Sequence, residues 1–386
     1  MSRYEVQRPR RARVALPEAA AAALVALAAL ALVWQAFMRV GVTVDGARRT
    51  VTVGMAVADL LASGLSEARP GDLVALDGTV LLPGGGGRPL AEVDGAPAPP
   101  GHRLRGGERV RLIDGADVTE RVISAERPIP IPVSVTGTGP LVRLASTGAV
   151  GVEAVRLGEL SGQVVASETL QPAVPMTVVR VTPPPTGGKL VALTFDDGPW
   201  PESTERILDI LAKEKVPATF FVVGKRVAKQ PGLVRRMVRE GHLVANHTED
   251  HRVLTLADRN TVRRQIRQGA NSIKAVTGKW PRWFRPPGGY LDPVVLDEAR
   301  KANERLVLWS VDPQDWRRPR WKKLAAQVIE ETEPGGVVLL HDGGGDRTAT
   351  VKALLRIVPR LKRKGYRFVT LDGLEAAERR AAAGEG

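Results

Sequence analysis

The sequence predicts an α/β fold with a mainly parallel sheet in its C-terminal half, preceded by a transmembrane helix and β-rich modules. Three observations carry that expectation. Beyond Gly188, apolar runs alternate with longer helical stretches, the pattern of successive strand–helix units. Chemistry-bearing side chains fall just after several predicted strands, where a parallel barrel gathers its active site. An uncharged twenty-residue run, Ala19 to Met38, stands ahead of both regions.

That run has Gln35 as its only polar side chain. Twenty residues at helical rise cross a hydrocarbon core of about 30 Å. Arg3, Arg8, Arg10, Arg11 and Arg13 precede it in a basic tail, residues 1–18, which orients the N-terminus to the cytoplasm. Trp34 then lies near the outer interface. The competing reading is a cleaved signal peptide. Its apolar core would be long, and Val33 to Ala36 lacks small residues at both expected cleavage positions. Either way the remaining chain is expected outside the cytoplasm, as a single-pass membrane protein or a secreted one.

Residues 40–181 read as β-rich. Val42-Thr43-Val44 and Thr50 to Val53 flank Asp45-Gly46, an alternating hairpin with its turn signal. Ala56 to Ala62 fits a short helix. Loops such as Leu82 to Pro89 carry too much Gly and Pro to be elements. Residues 42–123 resemble small β-grasp-like modules of bacterial wall-associated proteins, and residues 127–180 resemble glycine-patterned modules of wall enzymes. A plain spacer is the alternative. Thr182 to Gly188 is a Pro-then-Gly linker, residues 189–375 form the catalytic domain, and residues 376–386 form a tail. A fragment from Gly188 onward is therefore expected to fold and work alone.

In the catalytic domain, strands are expected at Lys189–Phe195, Ala218–Val223, His242–Asn246, Trp283–Arg285, Leu306–Val311, Gly336–Leu340 and Phe368–Leu371. Helices are expected at Glu202–Lys213, Gly232–Glu240, Asp258–Thr277, Pro293–Asn303, Lys322–Glu331 and Thr350–Lys364.

At 386 residues the chain is long enough for two or more domains. It has no cysteine, which excludes disulfides and thiolate metal sites; any metal must sit on His, Asp or Glu. The net charge of +14 is uneven, with 37 Lys and Arg against 25 Asp and Glu from Gly188 onward. That surplus suits an anionic polymer, or simply coats solvated helix faces. No aromatic-interleaved basic patch points to nucleic acid. Nothing in the sequence sets the oligomeric state.

The chemistry lies in five short pieces: TFDDGP (Thr194 to Pro199), HTEDH (His247 to His251), RPPGGY (Arg285 to Tyr290), DPQDW (Asp312 to Trp316) and LLHD (Leu339 to Asp342). His247 and His251, four apart, can share a divalent ion if the segment turns helical. One of the adjacent Asp196 and Asp197 supplies an oxygen ligand while the other faces substrate. Two His and a carboxylate leave open positions, as hydrolytic zinc sites require.

Across about half the chain, these motifs in this order resemble the polysaccharide deacetylases, the NodB-homology domain of carbohydrate esterase family four. The resemblance implies a distorted (β/α) barrel with fewer than eight strands. It implies Asp196 as general base and Asp197, His247 and His251 as ligands of a divalent metal. Zinc is the chemical default, and cobalt or nickel suit the same donors. Arg285 would orient Asp196, Asp315 would orient the general acid His341, and the Tyr290 N–H would help hold the oxyanion. Trp316, Leu339 and Tyr290 would line the acetyl pocket. The implied reaction is removal of N-acetyl groups from N-acetylglucosamine in a wall glycan, with peptidoglycan first. Chitin-like or poly-N-acetylglucosamine glycans, xylan O-acetyl esters and a silent wall-binding role are the rivals.

Overall fold

The computed structural model describes residues 18–183 and 188–383. The expected tail before Glu18, and most of the Pro/Gly linker, lie outside the described residues. The chain forms two compact units, residues 1–127 with 154–168, and residues 128–153 with 169–386. The boundary thus falls within the strands Val122–Ile129, Gly151–Gly158 and Val164–Gln171, rather than at the linker expected from composition.

In the first unit Glu18–Phe37 is a 20-residue helix. Its described leucines and valines are exposed, Leu24 at 59% and Val25 at 70%. Among the described residues, no helix is long and apolar enough to cross a membrane. The transmembrane helix expected at Ala19–Met38 is therefore not supported among the described residues. Asp45-Gly46 closes an antiparallel hairpin between Arg39–Val44 and Ala47–Thr52, as its turn chemistry predicts. The helix Val57–Ala62 buries Val57 and Leu60 under this sheet, together with Val42, Val51 and Val110.

The second unit is built on a seven-stranded parallel sheet. Its strands are β1 Lys189–Gly198, β2 Thr219–Val222, β3 Leu243–Asn246, β4 Trp283–Phe284, β5 Arg305–Leu306, β6 Gly336–His341 and β7 Tyr366–Phe368. The order is β5-β4-β3-β2-β1-β6, with β7 pairing the start of β1. All seven expected strands are present, within a few residues. The fifth is the exception in length: the expected Leu306–Val311 pairs as a strand only over Arg305–Leu306, after which Val311 makes a lone bridge to Val338.

Helices α1 Ser203–Glu214, α2 Gly224–Lys229, α3 Pro231–Arg239, α4 Arg259–Thr277, α5 Pro293–Lys301, α6 Trp321–Glu331, α7 Thr348–Arg363 and α8 Leu371–Ala382 surround the sheet. The sheet is covered on both faces, so its strands read as continuous apolar runs. Asp258 caps α4 by accepting from the Thr261 N–H, and Gly278 ends it at φ 74°. The tail expected from residue 376 is instead the body of α8, which buries Leu374 and Ala377 against Trp283 and Leu190.

Three strands that composition assigned to a separate β-rich region belong to this unit. Leu141–Ser146 pairs antiparallel with Met176–Val181, which pairs in parallel with Val133–Thr136. Val142, Met176 and Val178 are buried with Ile266 of α4, Phe284 of β4 and Leu296 of α5.

Candidate active site

Parallel pairing brings the C-terminal strand ends together. Asp196 on β1 lies opposite His341 on β6 and Phe221 on β2, and Asn246 at the end of β3 lies opposite Phe284 on β4. Residues far apart in sequence thereby share one end of the sheet.

Arg285 follows β4 and is fully buried. Its Nη1 donates to Asp196 Oδ1 at 2.7 Å and Thr194 Oγ1 at 2.9 Å, and its Nη2 donates to the Leu308 carbonyl at 2.8 Å. The guanidinium lies over the Phe221 ring at 4.2 Å. Burial lowers its pKa from the ordinary arginine value, and the Asp196 carboxylate opposes that shift. One oxygen of Asp196 is therefore committed to a rigid cation, and the other points towards His247 Nε2, 3.9 Å away.

His247 Nδ1 lies 2.6 Å from the Arg285 carbonyl, to which it can only donate. That fixes the tautomer with the lone pair on Nε2, the state a metal needs. Nε2 of His247 lies 3.5 Å from Asp197 Oδ1, and Nε2 of His251 lies 2.9 Å from the same oxygen. Asp197 Oδ1 is nevertheless a buried atom without a hydrogen-bond partner, because neither approach has hydrogen-bond geometry. Three donor atoms within 4.8 Å of one another, one of them buried and unsatisfied, fit a divalent ion. Burial alone would push the Asp197 carboxyl up; the two imidazoles outweigh it and hold it well below the usual carboxylate range.

The HxxxH segment is not helical, contrary to the simplest reading of its spacing. Thr248 and His251 take φ of 69° and 62°, so a tight turn with left-handed residues aims both rings at Asp197. Asp197 itself has φ 74°, which turns it away from Asp196 at the strand end.

His341 Nδ1 donates to Asp315 Oδ1 at 2.6 Å, and its backbone N–H donates to Asp315 Oδ2 at 2.9 Å. Thr350 Oγ1 donates to the same Oδ2 at 2.7 Å. Burial lowers the His341 pKa, but Asp315, with Asp196 and Asp197 behind it, pushes it up to about 9. The imidazole is thus protonated at neutral pH, with Nε2 carrying a proton that it can give.

Asp196, Asp197, His247, His251, Arg285, Asp315 and His341 form one charged cluster. Tyr290, Trp316 and Leu339 stand outside its hydrogen bonds. Tyr290 follows the turn Pro287–Gly289 and is 57% exposed. Gly289 at φ 71° leaves no room for a Cβ, which would meet the Trp309 ring at 2.6 Å. Trp316 is 46% exposed beneath the Arg317 guanidinium, and Leu339 is buried on β6 opposite Thr194.

Sequence reasoning gave no role to Asp342. It is wholly buried behind Asp197, and its Oδ2 accepts from Thr204 Oγ1 at 2.6 Å. Burial, aided by Asp197 and Asp196, raises its pKa to about 7. Gly198 is needed beside it, since a Cβ there would lie 2.0 Å from Asp342 Oδ2. Its place directly after His341 was the only signal.

The family described as polysaccharide deacetylase matches residues 184–307. A peptidoglycan-N-acetylglucosamine deacetylase of Bacillus cereus is 43% identical over 195 residues, which span 49% of this chain and 90% of the relative. A chitooligosaccharide deacetylase of Bradyrhizobium sp. (strain ANU 289) is 42% identical over 200 residues, 49% of this chain and 91% of the relative. Among solved structures, the peptidoglycan deacetylase PdaC of Bacillus subtilis is 35% identical, with a TM-score of 0.48 over 51% of this chain and 95% of that one.

Proposed function

The chain belongs to the polysaccharide deacetylases, and from that premise we propose that it removes N-acetyl groups from N-acetylglucosamine residues of peptidoglycan. The observation that carries the reading is the joint placement of a pinned carboxylate, Asp196, and a protonated imidazole, His341, beside three converging metal donors. Asp197, His247 and His251 would hold a divalent ion, with zinc the default for this donor set. Such an ion, when bound, acts as a Lewis acid and makes water a usable nucleophile near neutral pH.

The protein's own groups supply the proton transfers. Asp196, held by Arg285, takes the proton of the attacking water. An amide nitrogen leaves only as the amine, so a donor is required; His341 Nε2 gives that proton while Asp315 steadies the ring. Each transfer is worth roughly 10²–10⁴ in rate. The Tyr290 N–H would donate to the carbonyl oxygen as negative charge develops there, a contact worth about 10²–10³. Leu339 and Trp316 would flank the acetyl methyl.

The second substrate reading, chitin-like oligomers, is favoured by the chitooligosaccharide deacetylases among the relatives. The basic surplus of the catalytic half supports the anionic wall polymer instead. For location we propose the outer face of the membrane. The arginines ahead of an apolar helix with exposed Leu24, Val25 and Leu27 support that placement. Comparing kcat/KM for acetate release from peptidoglycan fragments and from chitooligosaccharides tests the assignment. A clear preference for the first is expected, and a clear preference for the second replaces it.

A further inference from the structure

Glu304, just before β5, is a buried carboxyl that the proposed reaction does not use, only 4% exposed. Its sole side-chain partner among the described residues is Asn246, whose Nδ2 lies 3.0 and 2.9 Å from the two carboxyl oxygens. The same Nδ2 donates to the Ile266 carbonyl at 2.9 Å. Two acceptors on that side fix which way the amide faces, so Oδ1 must point the other way. There it accepts the Thr248 N–H at 3.1 Å, and Thr248 Oγ1 in turn accepts the His251 N–H at 3.0 Å.

This relay runs from Glu304 to the backbone of Thr248, directly after the first histidine, and on to the second histidine. The turn it reaches is held in an unfavourable conformation, with left-handed φ at both Thr248 and His251. Such a turn persists only where its surroundings over-determine it. Helix α4 closes from behind: a Cβ on Gly269 would lie 2.3 Å from Asn246 Oδ1. The amide therefore has little freedom to shift except through its carboxyl partner. Burial pushes the Glu304 carboxyl well above the usual range, and the Asn246 bond acts against that shift.

We propose that Glu304, acting through Asn246, is a positioning residue that fixes the turn carrying His247 and His251 and so sets the affinity of the metal site. The proposal rests on reading Asp197, His247 and His251 as metal ligands. Groups that orient ligands typically alter metal affinity about 10–100-fold when removed. Glu304 acts two bonds further out, so the lower end applies.

The test is zinc affinity of the full chain, measured by competition with a chromophoric chelator, alongside the melting temperature of the metal-free protein. Glu304→Leu is expected to weaken zinc about tenfold, and Asn246→Ala by a similar factor. The double variant should be no weaker than either alone, because both break one relay. Glu304→Gln keeps an acceptor for Asn246 and should recover most of the affinity. Glu304 also lines a cleft of about 530 Å³ with Trp280 and Asn271, so a leucine there does not close a sealed void. If Glu304→Leu nonetheless fails to fold, Glu304→Asp, which draws the carboxyl back by one methylene, carries the same expectation. Unchanged zinc affinity with only a lowered melting temperature would make Glu304 structural and overturn the proposal. A wild-type chain that binds no zinc would overturn the metal-site reading itself.

Discussion

Asp196 and Arg285 form a buried ion pair at 2.7 Å, with the guanidinium entirely shielded from solvent and held by three further oxygens, Thr194 Oγ1 and the Val307 and Leu308 carbonyls. The pair holds the proposed base by one oxygen and leaves the other towards the metal donors. The same arginine's carbonyl sets the tautomer of His247. One residue after β4 thus positions both the base and a ligand.

Replacing Arg285 with methionine leaves Asp196 buried without its counter-charge. Breaking a buried pair in this way costs about 3–5 kcal/mol. The expected outcome is a lower denaturation midpoint and loss of acetate release. Wild-type stability in chemical unfolding would contradict the pairing.

The His341 pKa of about 9 gives a pH dependence. Burial opposes the shift, and the Asp315 carboxylate is the largest group raising it. His341 donates only while protonated, so kcat should fall as pH rises through about 9. Asp315→Asn keeps a hydrogen-bond acceptor but removes the charge, which should move that alkaline limb to lower pH. The linkage has the same sign: stability contributed by the His341–Asp315 pair is full below the ordinary histidine value of about 6.5 and lost as pH rises through the folded value. A kcat–pH profile of Asp315→Asn that matches the wild type would rule out His341 as the acid.

A fragment starting at Gly188 lacks the strands that carry Leu141, Val142, Met176 and Val178, all buried in the second unit. Each buried apolar side chain of this size contributes roughly 1.5–3 kcal/mol. That fragment should melt well below one starting at Pro128, or aggregate. Equal melting temperatures would restore the boundary that composition suggested.

The sequence made the catalytic sheet legible because its strands are buried on both faces and stand out as apolar runs between helices. Leu190 to Phe195 and Val337 to Leu340 are examples. It showed the charged cluster because Asp196, His247, Arg285 and His341 stand at or just after strand ends. Composition misplaced the domain boundary, since the Pro/Gly stretch after Val181 resembles a linker wherever the flanking strands pack. The docking of Met176 and Val178 on α4 is tertiary and leaves no periodic trace. HTEDH forms a turn rather than the helix its spacing would allow, because Asn246 and Thr248 supply local hydrogen bonds that hold left-handed residues. Asp342 and Glu304 escaped notice because neither carboxylate stands at a spacing from other polar residues that would betray its role.

The central claim is tested most directly by acetate release from peptidoglycan by the zinc-loaded full chain, its Asp196→Asn variant and its His247→Ala variant. Bound zinc is measured on the same samples. The account predicts release by the wild type, a loss of about 10²–10⁴ in Asp196→Asn with zinc retained, and loss of both zinc and activity in His247→Ala. Near-normal release by either variant would contradict the assignment of base and ligands.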